Sequence, residues 1–181
     1  MNSTPSLSTL SLQDFRTALT PSVLQQMMIL QAALPSGALL FAGVVAFLGS
    51  TTPAGELTVD LRSTLTTMTA VAGMMTVVAV TASRTIVDKI FASARTAPVT
   101  AEQAIGLIRT AMIIRLALLE GSSFFGLVIL VIAATNGVLF TVSWLAADLL
   151  PLLVLVTTAV FTFPTADRLE RIFEERFLRA Q

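Results

Sequence analysis

The chain has 181 residues, of which 55% are hydrophobic and 12% charged, with equal numbers of acidic and basic side chains. Soluble domains carry about a quarter charged residues. This composition, with a mean hydropathy of +0.85, therefore excludes an ordinary soluble domain and points to an integral membrane protein. The absence of cysteine and histidine excludes disulfides, thiolate chemistry, the usual zinc sites and histidine-ligated haem, and zero net charge leaves no footprint for nucleic acid.

Residues 1–20 read as a polar N-terminal segment, rich in Ser and Thr, with Arg16 balanced by Asp14. They lack the basic start and short apolar core of a signal peptide, so the apolar segment that follows is expected to be retained. That segment, residues 21–48, is the first of four long enough to cross a bilayer, which takes about 20 apolar residues. Thr20 is placed to cap it and Pro21 fits its first helical position. Pro35 predicts a kink. Pro53 and Gly55 mark a loop. The second span, residues 61–83, is rich in threonine, whose hydroxyls bond back to helix carbonyls.

Residues 84–109 predict a long polar connection holding a short amphipathic helix (RTIVDKIFASA), with Pro98 after it and Thr100 capping the next helix. The third span, residues 111–134, ends at Asn136 and Gly137, a tight-turn pair. The fourth, residues 139–163, holds Trp144, Asp148 and Pro151. The four spans make one transmembrane domain over residues 21–165. Residues 166–181 form an amphipathic tail with Leu169, Ile172, Phe173 and Phe177 at helical spacing. It is expected to dock a partner or lie on the membrane surface.

Lys and Arg concentrate in the connection between spans two and three and in the tail. Positive charge marks the cytoplasmic side, so both termini are expected there. A shift of 84 residues overlays MILQAALPSGALLFAG (28–43) on MIIRLALLEGSSFFGL (112–127), with five identities in sixteen, and VDKIF (87–91) returns as LERIF (169–173). The expected fold is therefore all-α: four transmembrane helices as two duplicated helical hairpins, each followed by a cytoplasmic amphipathic helix. In this register Ser36 stands where Glu120 does, and Gln31 where Arg115 does.

The polar residues within the spans are the candidate site. Arg115 lies roughly 6 Å inside the third span at 1.5 Å per residue. Its stem reaches back to the headgroups, so it is expected to anchor the interface, as is Trp144 at the other side. Glu120 lies some 13 Å in, near the midplane. An ionised side chain there costs about 3 kcal/mol or more, so Glu120 should be protonated, paired or ligated. Folding the last two spans about Asn136 and Gly137 brings Asp148 within about a turn of Glu120, with Ser122 and Ser123 nearby. These four are the candidate ligands for a proton or a sodium ion. The alternatives are a neutral Glu120 that ties helices together and an Asp148 that faces water beside Trp144. Alanine and glycine rows at four-residue spacing, such as Ala38, Ala42 and Ala46, predict close helix packing.

The stretch RLALLEGSSFFGLVILVI (115–132) resembles the carboxylate helix of the c subunit, or proteolipid, of rotary ATP synthases. That resemblance implies Glu120 as an ion-binding carboxylate, with Ser123 as a helper. The chain also resembles four-helix bacterial integral membrane proteins of uncharacterised function, which implies a bacterial inner-membrane location. Two function classes follow: an ion-handling subunit of a membrane complex or homo-oligomer, and a non-catalytic scaffold or accessory subunit. No catalytic residue, metal site or resident cofactor is expected, because the chain has no serine-histidine pair, metal-ligand cluster or phosphate-binding glycine loop.

Overall fold

The computed structural model describes residues 11–94 and 100–178. Every regular element among them is helical: α1 (Leu12–Ala18), α2 (Pro21–Thr51), α3 (Val59–Ala94), α4 (Ala101–Thr135), a 3₁₀ helix (Ser143–Leu149), α5 (Leu150–Phe161), α6 (Ala166–Phe173) and a wide final turn (Glu174–Leu178). Four of these stretches are long and apolar enough to cross a membrane: α2, α3, α4 and the 3₁₀ helix with α5. The protein is a multi-pass membrane protein.

The helix starts follow local chemistry. The Thr20 side chain accepts from the Val23 amide at the head of α2. Thr100 and Gln103 make a reciprocal capping box on α4. At the far end of α4, the amide of Gly137 donates to Ala134 and that of Val138 to Ala133. Gly137 adopts a left-handed φ of 69°. This pair of bonds is the glycine-terminated helix stop known as the Schellman motif. Gly55 donates its amide to the Gly137 carbonyl at 3.1 Å, and a side chain on Gly55 would collide with the Asn136 carbonyl. The two loops at that end are therefore fastened by close backbone contact.

The spatial order departs from the sequence expectation. α4 is the central helix: α2, α3 and α5 all pack on it, whereas α2 and α3 lie principally against α4 rather than each other. The first expected hairpin is thus not a packed pair. The reason is compositional. In α4 half of the most apolar stretch (50%) is buried, against 17% in α2 and in α3; α4 is apolar on every side, and α2 and α3 each cover one of them.

Three boundaries also differ. The amphipathic helix expected over 84–94 is not separate, because α3 runs unbroken through it for 36 residues, about 54 Å. No residue between Ser83 and Ala94 breaks a helix, so the polar face there does not mark a helix end. The span expected from residue 111 is likewise the inner part of a longer helix, α4, which starts after Thr100 as the cap predicts. The fourth span is a helix of two kinds: its first third is 3₁₀, and Pro151 sits in the first turn of α5. Helix α2 continues through Pro35. Arg95, Pro98 and Arg179 fall outside the described residues.

There are two apolar cores. One lies between the spans, around Ala38, Leu65, Leu119, Leu127 and Leu155. The other lies at the end that carries α1 and α6, around Phe15, Phe91, Ile108, Leu169, Phe173 and Phe177. Leu169, Phe173 and Phe177 of the tail are therefore buried against the chain's own α1, α3 and α4. Within the segment expected to be polar, residues 11–20 supply α1 and the fully buried Phe15 to this second core.

Candidate functional site

Glu120 stands near the middle of the 35-residue α4. Its side chain is half-buried and points at α2: Oε1 lies 3.7 Å from the place a β-carbon on Gly37 would take. Glu120 has neither a hydrogen bond nor an ion pair among the described residues. The Phe124 ring comes to 3.9 Å from the same point on Gly37, and small residues lie beside it. Gly37, Ala117 and Gly121 are all exposed at the surface of the bundle, and a side chain on Gly121 would meet only open space. Ser36, which aligns with Glu120 at the 84-residue shift, donates its hydroxyl to Ala32 O at 2.7 Å.

Asp148 occupies a different neighbourhood. It is 1% exposed, so the reading in which it faces water is overturned. The 3₁₀ turn directs it inward, where Oδ2 accepts from the Thr69 hydroxyl of α3 at 2.8 Å. Oδ1 is buried without a partner. The backbone makes room for this turn at Gly126, where a β-carbon would stand 2.5 Å from the Asp148 carbonyl oxygen. The two carboxyls thus take neighbours on different helices, Glu120 on α2 and Asp148 on α3.

Ser122 and Ser123 are both buried and both donate to the Leu119 carbonyl, at 2.9 and 2.8 Å. Ser123 also reaches the Pro151 carbonyl at 2.9 Å, tying α4 to α5. Their hydroxyl hydrogens are spent on backbone, a common way for serine to sit in an apolar helix. Comparison with protein-family models, curated proteins and solved structures yields no match. The site therefore rests on its own geometry. What that geometry brings together is one partly exposed carboxyl among small residues, and one buried carboxyl tied to a threonine.

The expected anchors are also placed. Trp144 is half-buried against the inter-span core, at the end opposite the termini. Arg115 is half-buried and faces away from Glu120, into a cleft shared with Arg84 and Arg176.

Two polar residues that matter were not singled out from the sequence. Gln31 is 2% exposed and donates from Nε2 to Ala159 O at 3.1 Å and to the Thr162 hydroxyl at 2.9 Å, joining α2 to the end of α5. Its alignment with Arg115 at the 84-residue shift was the available signal. Thr69 had none, since it is one of several threonines in α3, of which Thr66, Thr67, Thr76, Thr81 and Thr85 bond to their own helix.

Proposed function

We propose that this protein is a non-enzymatic, proton-binding subunit of a larger assembly in the bacterial inner membrane, with both termini cytoplasmic and Glu120 as the proton-binding carboxyl. The observation that carries this is a carboxyl near the middle of the central membrane helix, half-exposed and without a hydrogen bond or ion pair among the described residues. In lipid, an ionised side chain at that depth costs about 3 kcal/mol or more. A bound proton removes that cost, and a neighbouring subunit covers what remains. The exposed Gly37, Ala117 and Gly121 beside it suit such a neighbour, because small residues let a second helix approach closely. That neighbour is a second copy of the chain or another subunit.

A proton is favoured over sodium. Asp148 is occupied with Thr69, and both serines donate to backbone, so Glu120 lacks the ring of oxygen ligands that a metal cation takes. The resemblance of residues 115–132 to the proteolipid carboxylate helix supports the same reading. The orientation rests on Arg16, Arg84, Lys89, Arg109 and Arg176, all on the helices of the end that carries both termini.

The test is carbodiimide labelling, which requires a protonated carboxyl. Purified protein in mild detergent should be modified at Glu120, less so as pH rises, and Glu120→Gln should abolish the adduct. Absence of label at Glu120 across the acidic range would sink the proposal. The scaffold reading is favoured by Asp148, whose bond to Thr69 has the form of a helix tie. It predicts that partners co-purify equally well with Glu120→Gln and with the unaltered protein.

A further inference from the structure

Two adjoining clefts open at the end that carries both termini, between the emergent part of α3, the first half of α4 and the C-terminal helices. One, of about 270 Å³, is walled by Val87, Phe91, Met112, Leu169 and Ile172. The other, of about 300 Å³, is lined by Ser83, Arg84, Val87, Asp88, Arg115 and Arg176. They share Val87, Arg115 and Arg176, so they form one continuous groove. Arg168 and Glu175 complete its polar lining.

The charges in this groove do not cancel. Arg176 pairs with Asp88 at 2.8 Å and lies over the Phe91 ring. The side chains of Arg84, Arg115 and Arg168 make no ion pair or hydrogen bond among the described residues. Four arginines therefore face two carboxylates, and Arg115 is half-buried without a counter-ion. An unpaired charge out of water is costly unless an opposite charge meets it. Guanidinium groups match a phosphate through two parallel hydrogen bonds.

Depth and wall chemistry select the source of that phosphate. Thr162, where α5 ends, lines the same groove, so the groove sits where the last span leaves the apolar layer. Its wall is aliphatic and aromatic below the arginines. A free phosphate would use only the polar half. A phospholipid would use both, with its phosphate on the arginines and its upper acyl chain against Val87, Met112 and Ile172. We propose that this groove binds the phosphate of an anionic phospholipid from the leaflet nearest the termini, with Arg84 and Arg115 as the direct contacts.

Native mass spectrometry of the full chain in detergent, given equal amounts of phosphatidylglycerol and phosphatidylcholine, tests this. The unaltered protein should retain the anionic lipid with about tenfold preference, the scale of one additional charge-assisted contact. The Arg84→Gln/Arg115→Gln pair should bring the preference close to one. Arg171→Gln, an exposed change on α6 outside the groove, should leave it intact. Equal retention of both lipids by the unaltered protein overturns the proposal without recourse to any variant. So does a double variant that keeps the preference. Complete displacement of phosphatidylglycerol by millimolar glycerol phosphate or inorganic phosphate assigns the groove to a free phosphate and overturns the lipid as its occupant.

Discussion

Phe15 lies face to face with Phe173, their ring centroids 4.2 Å apart, so the first and last helices of the chain close on each other. Phe173 stacks in turn on Phe177, and Phe177 meets Phe91 edge-on. Both Phe15 and Phe173 are completely buried. Truncating a buried phenylalanine to alanine costs about 3–5 kcal/mol. Phe173→Ala should therefore loosen α1 and α6 together, lowering the unfolding temperature and exposing the 162–165 linker to protease. A loss below about 1 kcal/mol would mean that this second core contributes little.

The same two helices are joined at the surface by Arg16, whose Nε and Nη2 donate to the two carboxylate oxygens of Glu170 at 3.0 and 2.7 Å. The hydrogen bond from Arg16, and then its charge, hold the Glu170 carboxyl below the usual carboxylate range, and Arg16 moves up correspondingly. A carboxyl with a depressed folded value contributes fully above its unfolded value, about 4.3, and the contribution is lost as pH falls through the folded value. The unfolding temperature of Glu170→Gln should thus fall below that of the unaltered protein at neutral pH, with the gap closing in acid. High salt should shrink it too, because the pair is solvated. A gap that persists unchanged into strong acid would disprove this account.

Much of this architecture is legible in the sequence, and what is not has identifiable causes. Thr20, Thr100 and the Asn136–Gly137 pair mark helix ends because capping is local chemistry. The continuation of α3 through Arg84 to Ala94 is harder to read, since an amphipathic stretch looks the same as a separate surface helix or as the emergent end of a span. The 3₁₀ turn at Ser143–Leu149 is equally hidden, as its apolar residues suit either helix type. That turn decides the candidate site. It aims Asp148 at Thr69 of α3, whereas a regular α-helical hairpin led to the expectation that Asp148 would meet Glu120. Ser122 and Ser123 read from the sequence as candidate ligands beside Glu120; their bonds to Leu119 O are local to α4, whereas the Ser123 contact with Pro151 depends on how α5 is set against α4.

Gly126 and Gly73 give a matched pair of substitutions. A β-carbon on Gly126 would stand 2.5 Å from a backbone oxygen, that of Asp148, and 3.4 Å from the Pro151 ring. Backbone cannot step aside as a side-chain tip can, so Gly126→Ala should destabilise the protein by about 1–3 kcal/mol and disturb the Asp148 turn. A β-carbon on Gly73 would meet nothing within 4 Å. Gly73→Ala removes only backbone freedom from the middle of α3 and should stabilise by about 0.5–1 kcal/mol. Unfolding in a denaturing detergent mixture measures both, and equal effects would contradict the close approach of α4 to the 3₁₀ turn.

The bond from Thr69 to Asp148 allows a sharper test, because one carboxylate oxygen already lacks a partner. Thr69→Val conserves shape and removes the hydroxyl, leaving both oxygens of a buried carboxyl unsatisfied. Leaving a buried acceptor unpaired costs about 1–3 kcal/mol. Replacing Asp148 with leucine removes the group that needs the bond, and apolar replacement of a buried polar group is often close to neutral. Thr69→Val should therefore destabilise the unaltered protein by that amount and have little effect in the Asp148→Leu background. The difference between the two is the coupling of the pair. Equal effects in both backgrounds would mean that Thr69 acts through packing alone and that Asp148 is held in place by the 3₁₀ turn.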